Sequence, residues 1–257
     1  MDGSRVLYSS DWQPQTTLVR GGLHRSPHQE TSEALYLTSG FVYDTAEEAE
    51  AAFKGDHKRY IYGRYGSPTV TAFEERLRLL EGAEVCKGTA SGMAAVHAAL
   101  ICQLQAGDKV VASRALFGSC HYIINELLPR FGVATHLVDG TDYDQWEAAI
   151  RSDVTVTFLE SPSNPTLEII DIAPVAELTH AAGGKLVVDN ALASPVVKKR
   201  SPSVPTSLSI PRQSISMGKA AVSVARFWDR RKSSKRNYRI SCDTRDHRLV
   251  PSTHEFY

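Results

Sequence analysis

Short apolar runs that alternate with helical stretches constrain this chain more than any other feature. Lys109-Val110-Val111-Ala112, the segments 134–138 and 154–160, and Lys185-Leu186-Val187-Val188-Asp189 have the length and β-branched content of buried strands. Between them, 122–131, 144–150 and 172–182 carry helical spacing, and Gly183-Gly184 ends the last of these. The alternation predicts α/β layers around a mostly parallel sheet. Ligands in such folds sit beyond the carboxyl ends of the strands. Glu160 and Asp189 each stand at one such end.

Upstream, Gly88-Thr89-Ala90-Ser91-Gly92-Met93-Ala94-Ala95 leads through small residues into a helix expected to reach about Gln105. Unpaired backbone N–H groups and the helix dipole at such a start outline a phosphate cradle; close packing is the alternative reading. Neither a Walker loop nor a dinucleotide G-x-G-x-x-G is present. Before it, Thr45 reads as the cap of a helix closed by Gly55, and a helix from Val70 to Leu80 is closed by Gly82. Between those two helices runs Tyr60-Ile61-Tyr62-Gly63-Arg64-Tyr65-Gly66-Ser67-Pro68-Thr69, an aromatic loop whose Arg64 could equally be a surface ion-pair partner. Residues 1–30 read as an extended polar arm. Asp189-Asn190 can be a simple turn, and Glu160-Ser161-Pro162-Ser163-Asn164-Pro165-Thr166 a rigid proline loop.

Composition narrows the setting. A chain of 257 residues can hold one large domain or two small ones. No run is long enough to span a membrane, and the N-terminus lacks a secretion-signal layout, so no membrane partner and a cytoplasmic location are expected. The four cysteines form no C-x-x-C pair and the nine histidines are scattered, so no metal site is expected. Zero net charge hides an asymmetry: 201–257 holds eleven Lys/Arg against four Asp/Glu, with eleven serines and one glycine.

Taken together, Tyr62 to Thr69, Ser91-Gly92-Met93-Ala94-Ala95, Glu160 to Thr166 and Val187-Val188-Asp189-Asn190 resemble, in order and spacing, the trans-sulfuration family of pyridoxal-phosphate enzymes. The resemblance covers roughly residues 15–199. Thr31-Ser32-Glu33-Ala34-Leu35, and Phe117 where most relatives carry tyrosine, look most like its O-succinylhomoserine sulfhydrylase branch.

The resemblance implies a three-layer α/β fold of the fold-type I transferases, present only as an incomplete large domain without the C-terminal domain. It implies cofactor contacts from Ser91, Gly92 and Met93 to the phosphate, Phe117 stacked on the pyridine ring, Asn164 at the ring hydroxyl, Asp189 at the ring nitrogen and Glu160 supporting them. Tyr62 and Arg64 would reach the phosphate of a neighbouring subunit, which requires a dimer or tetramer. The implied reaction is γ-replacement on an acylated homoserine by sulfide, giving homocysteine. A cystathionine γ-synthase or lyase type of enzyme, or a non-catalytic truncated product, are the alternatives. No nucleic-acid partner is expected, although a basic disordered tail that binds one is the other reading of 201–257.

All of this chemistry depends on a Schiff-base lysine in a Ser-Ala-Thr-Lys stretch beyond Asp189. Here Ser209 to Lys219 lacks it, and Lys219 has no such context. Allowed codons for Ser209 to Lys219, regrouped from the third base of the first, encode Tyr-Ser-Ala-Thr-Lys-Tyr-Ile-Asp-Gly-Gln. The reading frame is therefore expected to shift between about Val197 and Ser201. Three segments follow: 1–67 as arm and trans phosphate loop, 68–199 as partial cofactor-binding domain, and 200–257 as an out-of-frame, disordered basic tail without catalytic lysine or strands.

Overall fold

Capping chemistry sets most helix boundaries. The computed structural model describes residues 9–193, except 24 and 152, together with two short strands at 208–210 and 221–225. The chain divides into two units, Met1–Gly82 and Ala83–Tyr257. The first unit includes the helix that follows residue 67.

In that unit, α1 (Pro14–Arg20) replaces part of the expected extended arm. Pro14 presets the first turn, and the buried Thr17 packs the helix inward. α2 (Ala46–Lys54) starts where Thr45 accepts the Glu48 N–H and stops at Gly55, whose φ of 86° is left-handed. Glu48 in turn accepts the Asp44 N–H at 3.0 Å, and its carboxyl is held below the usual range chiefly by that bond. α3 (Pro68–Glu81) is capped by Ser67 and ended by Gly82. Arg76 on α3 reaches the Gly21 carbonyl at 3.2 Å and Glu33 at 3.0 Å, which ties the segment after α1 to this helix.

The second unit is an α/β sheet. Its strands are β1 (Val85–Thr89), β2 (Lys109–Ser113), β3 (Ala134–Val138), β4 (Val156–Glu160), β5 (Lys185–Asp189), β6 (Leu208–Ile210) and β7 (Ala221–Ala225). They lie in the order β1-β7-β6-β5-β4-β2-β3, and β7 alone runs antiparallel to its neighbours. The mostly parallel sheet expected from the alternation is present. The tail's expected lack of strands is corrected: Leu208–Ile210 and Ala221–Ala225 complete the sheet. Both are short apolar runs interrupted by one serine, with β-branched residues in each. The rest of the tail, with Lys219 in it, lies outside the described residues.

The intervening helices are α4 (Gly92–Ile101), α5 (Gly118–Tyr122), α6 (Leu128–Arg130), α7 (Tyr143–Ala149) and α8 (Ile172–Ala181). A π-helical turn, Ile123–Leu127, joins α5 to α6, so this run begins earlier than the spacing from Tyr122 suggests. α4 ends at Ile101 rather than Gln105. Strand side chains alternate, and each face of the sheet carries its own core. Val110, Ala112, Val156, Phe158 and Val187 meet Val96, Ala99 and Leu100 of α4 on one face. On the other, Val111, Leu159, Leu186 and Val188 meet Trp146 of α7 and Val175 and Ala176 of α8.

His180 in the last turn of α8 is half-buried, and desolvation lowers its pKa from the ordinary 6.5. The unfolded chain then binds a proton that the folded chain refuses, so stability is complete above pH 6.5 and declines as pH falls through the lowered value. A His180→Gln variant is expected to lose that part of the acid slope in urea titrations run between pH 7 and pH 5. An unchanged slope would mean other groups set it.

Candidate functional site

The sheet's alternation decides which carboxylates can share a site. Asp189 follows Val187 by two residues on β5, and Glu160 follows Phe158 by two on β4, so both project to the face that carries α4. Glu160 pairs in register with Asp189 across the two strands. Both are buried, at 1% and 6% exposure. The Ser161 N–H extends the ladder to the Asp189 carbonyl at 3.0 Å, and Asp189 Oδ1 accepts the Ala191 N–H at 3.0 Å.

The start of α4 is set by Ser91. Its Oγ accepts the Ala94 N–H at 3.1 Å, and its carbonyl accepts the Ala95 N–H. Thr89 Oγ1 donates to the same Ser91 carbonyl at 2.9 Å. Ser91 therefore shapes the turn. The amides of Gly92 and Met93 come first in the helix and meet no acceptor among the described residues. The helix dipole adds positive potential at these two N–H groups. Met93 and Phe117 both pack against the core on this face.

Phe117 stands just before α5, and Asn164 lies in the loop after β4. Both loops are tied to Glu160: Oε2 accepts the Phe117 N–H at 2.6 Å and Oε1 the Asn164 N–H at 3.1 Å. The loop bearing Asn164 is braced from within. Ser163 Oγ meets Thr166 Oγ1 at 2.6 Å and accepts the Glu168 N–H, while Ser161 Oγ exchanges hydrogen bonds with the backbone of Ile170. Sequence spacing picks out these residues but not the two backbone amides that Glu160 holds; Phe117 and Glu160 are 43 positions apart, and only the sheet order brings them together.

Tyr62 and Arg64 belong to the first unit, and the seven other residues singled out belong to the second. Gly63 donates to the Ser39 carbonyl at 2.7 Å, and Tyr62 forms an antiparallel bridge with Gly40. The Arg64 guanidinium lies 5.1 Å from the Tyr65 ring centre and 6.0 Å from that of Tyr62, and Tyr62 is 45% exposed. A shallow cleft of about 710 Å³ runs between Tyr36 to Ser39 and Tyr62 to Arg64. The geometry is that of an outward-facing cation flanked by aromatic rings, suited to an anion.

The residues of the second unit fit a phosphorylated pyridine. They offer an anion-accepting helix start, a buried carboxylate on the same face for a protonated ring nitrogen, and an aromatic residue against that core. The covalent anchor is different. Lys109 and Lys185 open their strands at the end of the sheet away from Asp189. Lys87 sits on β1, three strands from β5 and so about 14 Å away at roughly 4.8 Å per strand. None of these described lysines reaches the site. Among the described residues no helix is long and apolar enough to cross a membrane, and no group of three His, Cys, Asp or Glu is placed to hold a metal ion.

Comparison with known proteins gives concordant findings. The family model for Cys/Met metabolism PLP-dependent enzymes matches residues 15–201. An O-succinylhomoserine sulfhydrylase of Mycobacterium tuberculosis is 54% identical over 187 residues, 73% of this chain and 46% of that protein. An L-methionine gamma-lyase of Porphyromonas gingivalis is 36% identical over 183 residues, 71% of this chain and 46% of the relative. In fold, a Campylobacter jejuni crystal structure bearing N′-pyridoxyl-lysine-5′-monophosphate superposes with a TM-score of 0.78 at 24% identity, over 84% of this chain and 55% of that one. The chain spans under half the length of the curated relatives it matches.

Proposed function

Because the chain belongs to the Cys/Met metabolism PLP-dependent enzyme family, we propose that it carries the non-covalent part of a site for γ-replacement on an O-acylhomoserine by sulfide. O-Succinylhomoserine is the first choice of substrate, given the 54% identity to a sulfhydrylase of that name; γ-elimination of the lyase kind ranks second at 36%. The observation that carries the reading is the placement of the Gly92 and Met93 amides and the buried Asp189 carboxylate on one face of the sheet.

In this reading Gly92 and Met93 donate to the cofactor phosphate from a helix start that Ser91 shapes. Asp189 keeps the ring nitrogen protonated; Phe117 covers the ring, and Asn164 meets its hydroxyl. Tyr62 and Arg64 of a second copy complete the phosphate contacts. Pyridoxal phosphate, when bound, supplies an electron sink for carbanion chemistry. The described residues supply no amine to hold it covalently. A frame shift near Val197 would account for that loss, since the regrouped codons encode a Ser-Ala-Thr-Lys stretch whose lysine codon overlaps those of Gln213 and Ser214.

The direct test is a fluorescence titration of the 257-residue chain with pyridoxal phosphate, followed by borohydride reduction and intact mass. Saturable binding without a fixed adduct is the expected result. Asp189→Asn is expected to weaken it roughly ten- to hundredfold, the range for losing a hydrogen bond to a charged group. Absence of saturable binding to the unsubstituted chain would defeat the reading.

A further inference from the structure

We propose that Glu160 is a positioning residue: one buried carboxylate fastens the two loops that cover and flank the pyridine ring. The proposal rests on the cofactor reading above and adds to it the part that gives the site its shape. Phe117 follows β2 and Asn164 follows β4, two loops with no sequence connection. Glu160 accepts an amide from each, at 2.6 Å and 3.1 Å, from a side chain only 1% exposed. A buried charge is tolerated when it is hydrogen-bonded, and bonds to an ionised acceptor are roughly twice as strong as neutral ones.

The chemistry is selective for a carboxylate. A glutamine has one acceptor oxygen, and its NH₂ would face the second amide donor to donor. An aspartate is shorter by one methylene and cannot span both loops at these distances. Two backbone amides share the Glu160 charge. Asp189, its register partner on β5, answers the cationic ring in the cofactor reading. Phe117 and Asn164 are thereby linked through one side chain, so ring cover and ring-hydroxyl contact are set together.

The experiment compares the full chain with its Glu160→Gln and Glu160→Asp variants. Amide hydrogen exchange is read at Phe117 and Asn164, and binding and induced circular dichroism are read with pyridoxal phosphate as the probe. Glu160→Gln is expected to speed exchange at both amides by about tenfold or more, consistent with loss of charge-assisted bonds, while α7 and α8 keep their protection. Affinity falls by a similar factor and the induced band changes sign or vanishes. Glu160→Asp, the milder change if the amide variant does not fold, restores one of the two amides and part of the signal. Unchanged exchange at Phe117 and Asn164 overturns the clamp. Faster exchange with unchanged affinity and dichroism also overturns it, because the loops would then be fastened without seating the ring. Faster exchange in a chain that binds no probe even when unsubstituted marks the failure of the cofactor reading instead, and the proposal falls with it.

Discussion

No homocysteine is expected from the purified 257-residue chain incubated with O-succinylhomoserine, sulfide and pyridoxal phosphate. Turnover is expected from the same gene once one frame correction is made in the codons for Val197 to Ser201. The effect is large because the lysine does two jobs, holding the cofactor as a Schiff base and carrying protons. Losing a residue of this kind commonly removes several powers of ten in rate. The regrouped codons restore a lysine in a Ser-Ala-Thr-Lys stretch. The corrected chain should therefore also give a borohydride-fixed adduct on a single lysine. Homocysteine from the uncorrected protein, free of any intact relative, would end this account. So would a corrected chain that stays silent while folding and binding cofactor.

The second large effect concerns stability. Trp146→Ala is expected to lower the unfolding free energy by about 3–5 kcal/mol, the range for emptying a large aromatic site. Trp146 is 1% exposed, sits in the core between α7, α8 and the sheet, and donates its indole N–H to the Gly140 carbonyl at 3.0 Å. The Gly140 backbone that accepts this bond is itself tightly packed. A Cβ at Gly140 would lie 2.4 Å from Ile170 Cδ1, so the backbone there is already in close contact. Trp146→Phe keeps most of the buried area and is expected to cost less, with about 1 kcal/mol of it from the lost hydrogen bond. Urea unfolding checks both, and a Trp146→Ala loss below about 1 kcal/mol would show that α7 does not depend on its indole.

How much of this was readable beforehand follows from the range over which each feature acts. Caps are local: Thr45 with Gly55 marks α2, and Gly82 marks the end of α3. β4 and β5 are buried on both faces, and their apolar runs announce them. β1 is harder, because Lys87-Gly88-Thr89 has weak strand propensity and gains its place from pairing with β7. α1 escapes because its seven residues carry too few apolar positions to show a period. For the candidate site, residue types identify Asp189 and the start of α4. The duty of Glu160 depends on sheet order, which no local pattern contains.

The antiparallel β7 also bears on the order in which the unit can form. β1 is made early in the chain, yet its register partners run from Ala221 to Ala225. Until those residues leave the ribosome, β1 has no strand beside it, and β5 lacks the neighbour that leads towards it. Closing so long a loop slows folding, and an unpaired strand edge is open to other chains meanwhile. Changes between Asn190 and Ala221 therefore act on the time the nascent unit spends with an open edge, and synthesis rate or chaperone supply should alter its soluble yield.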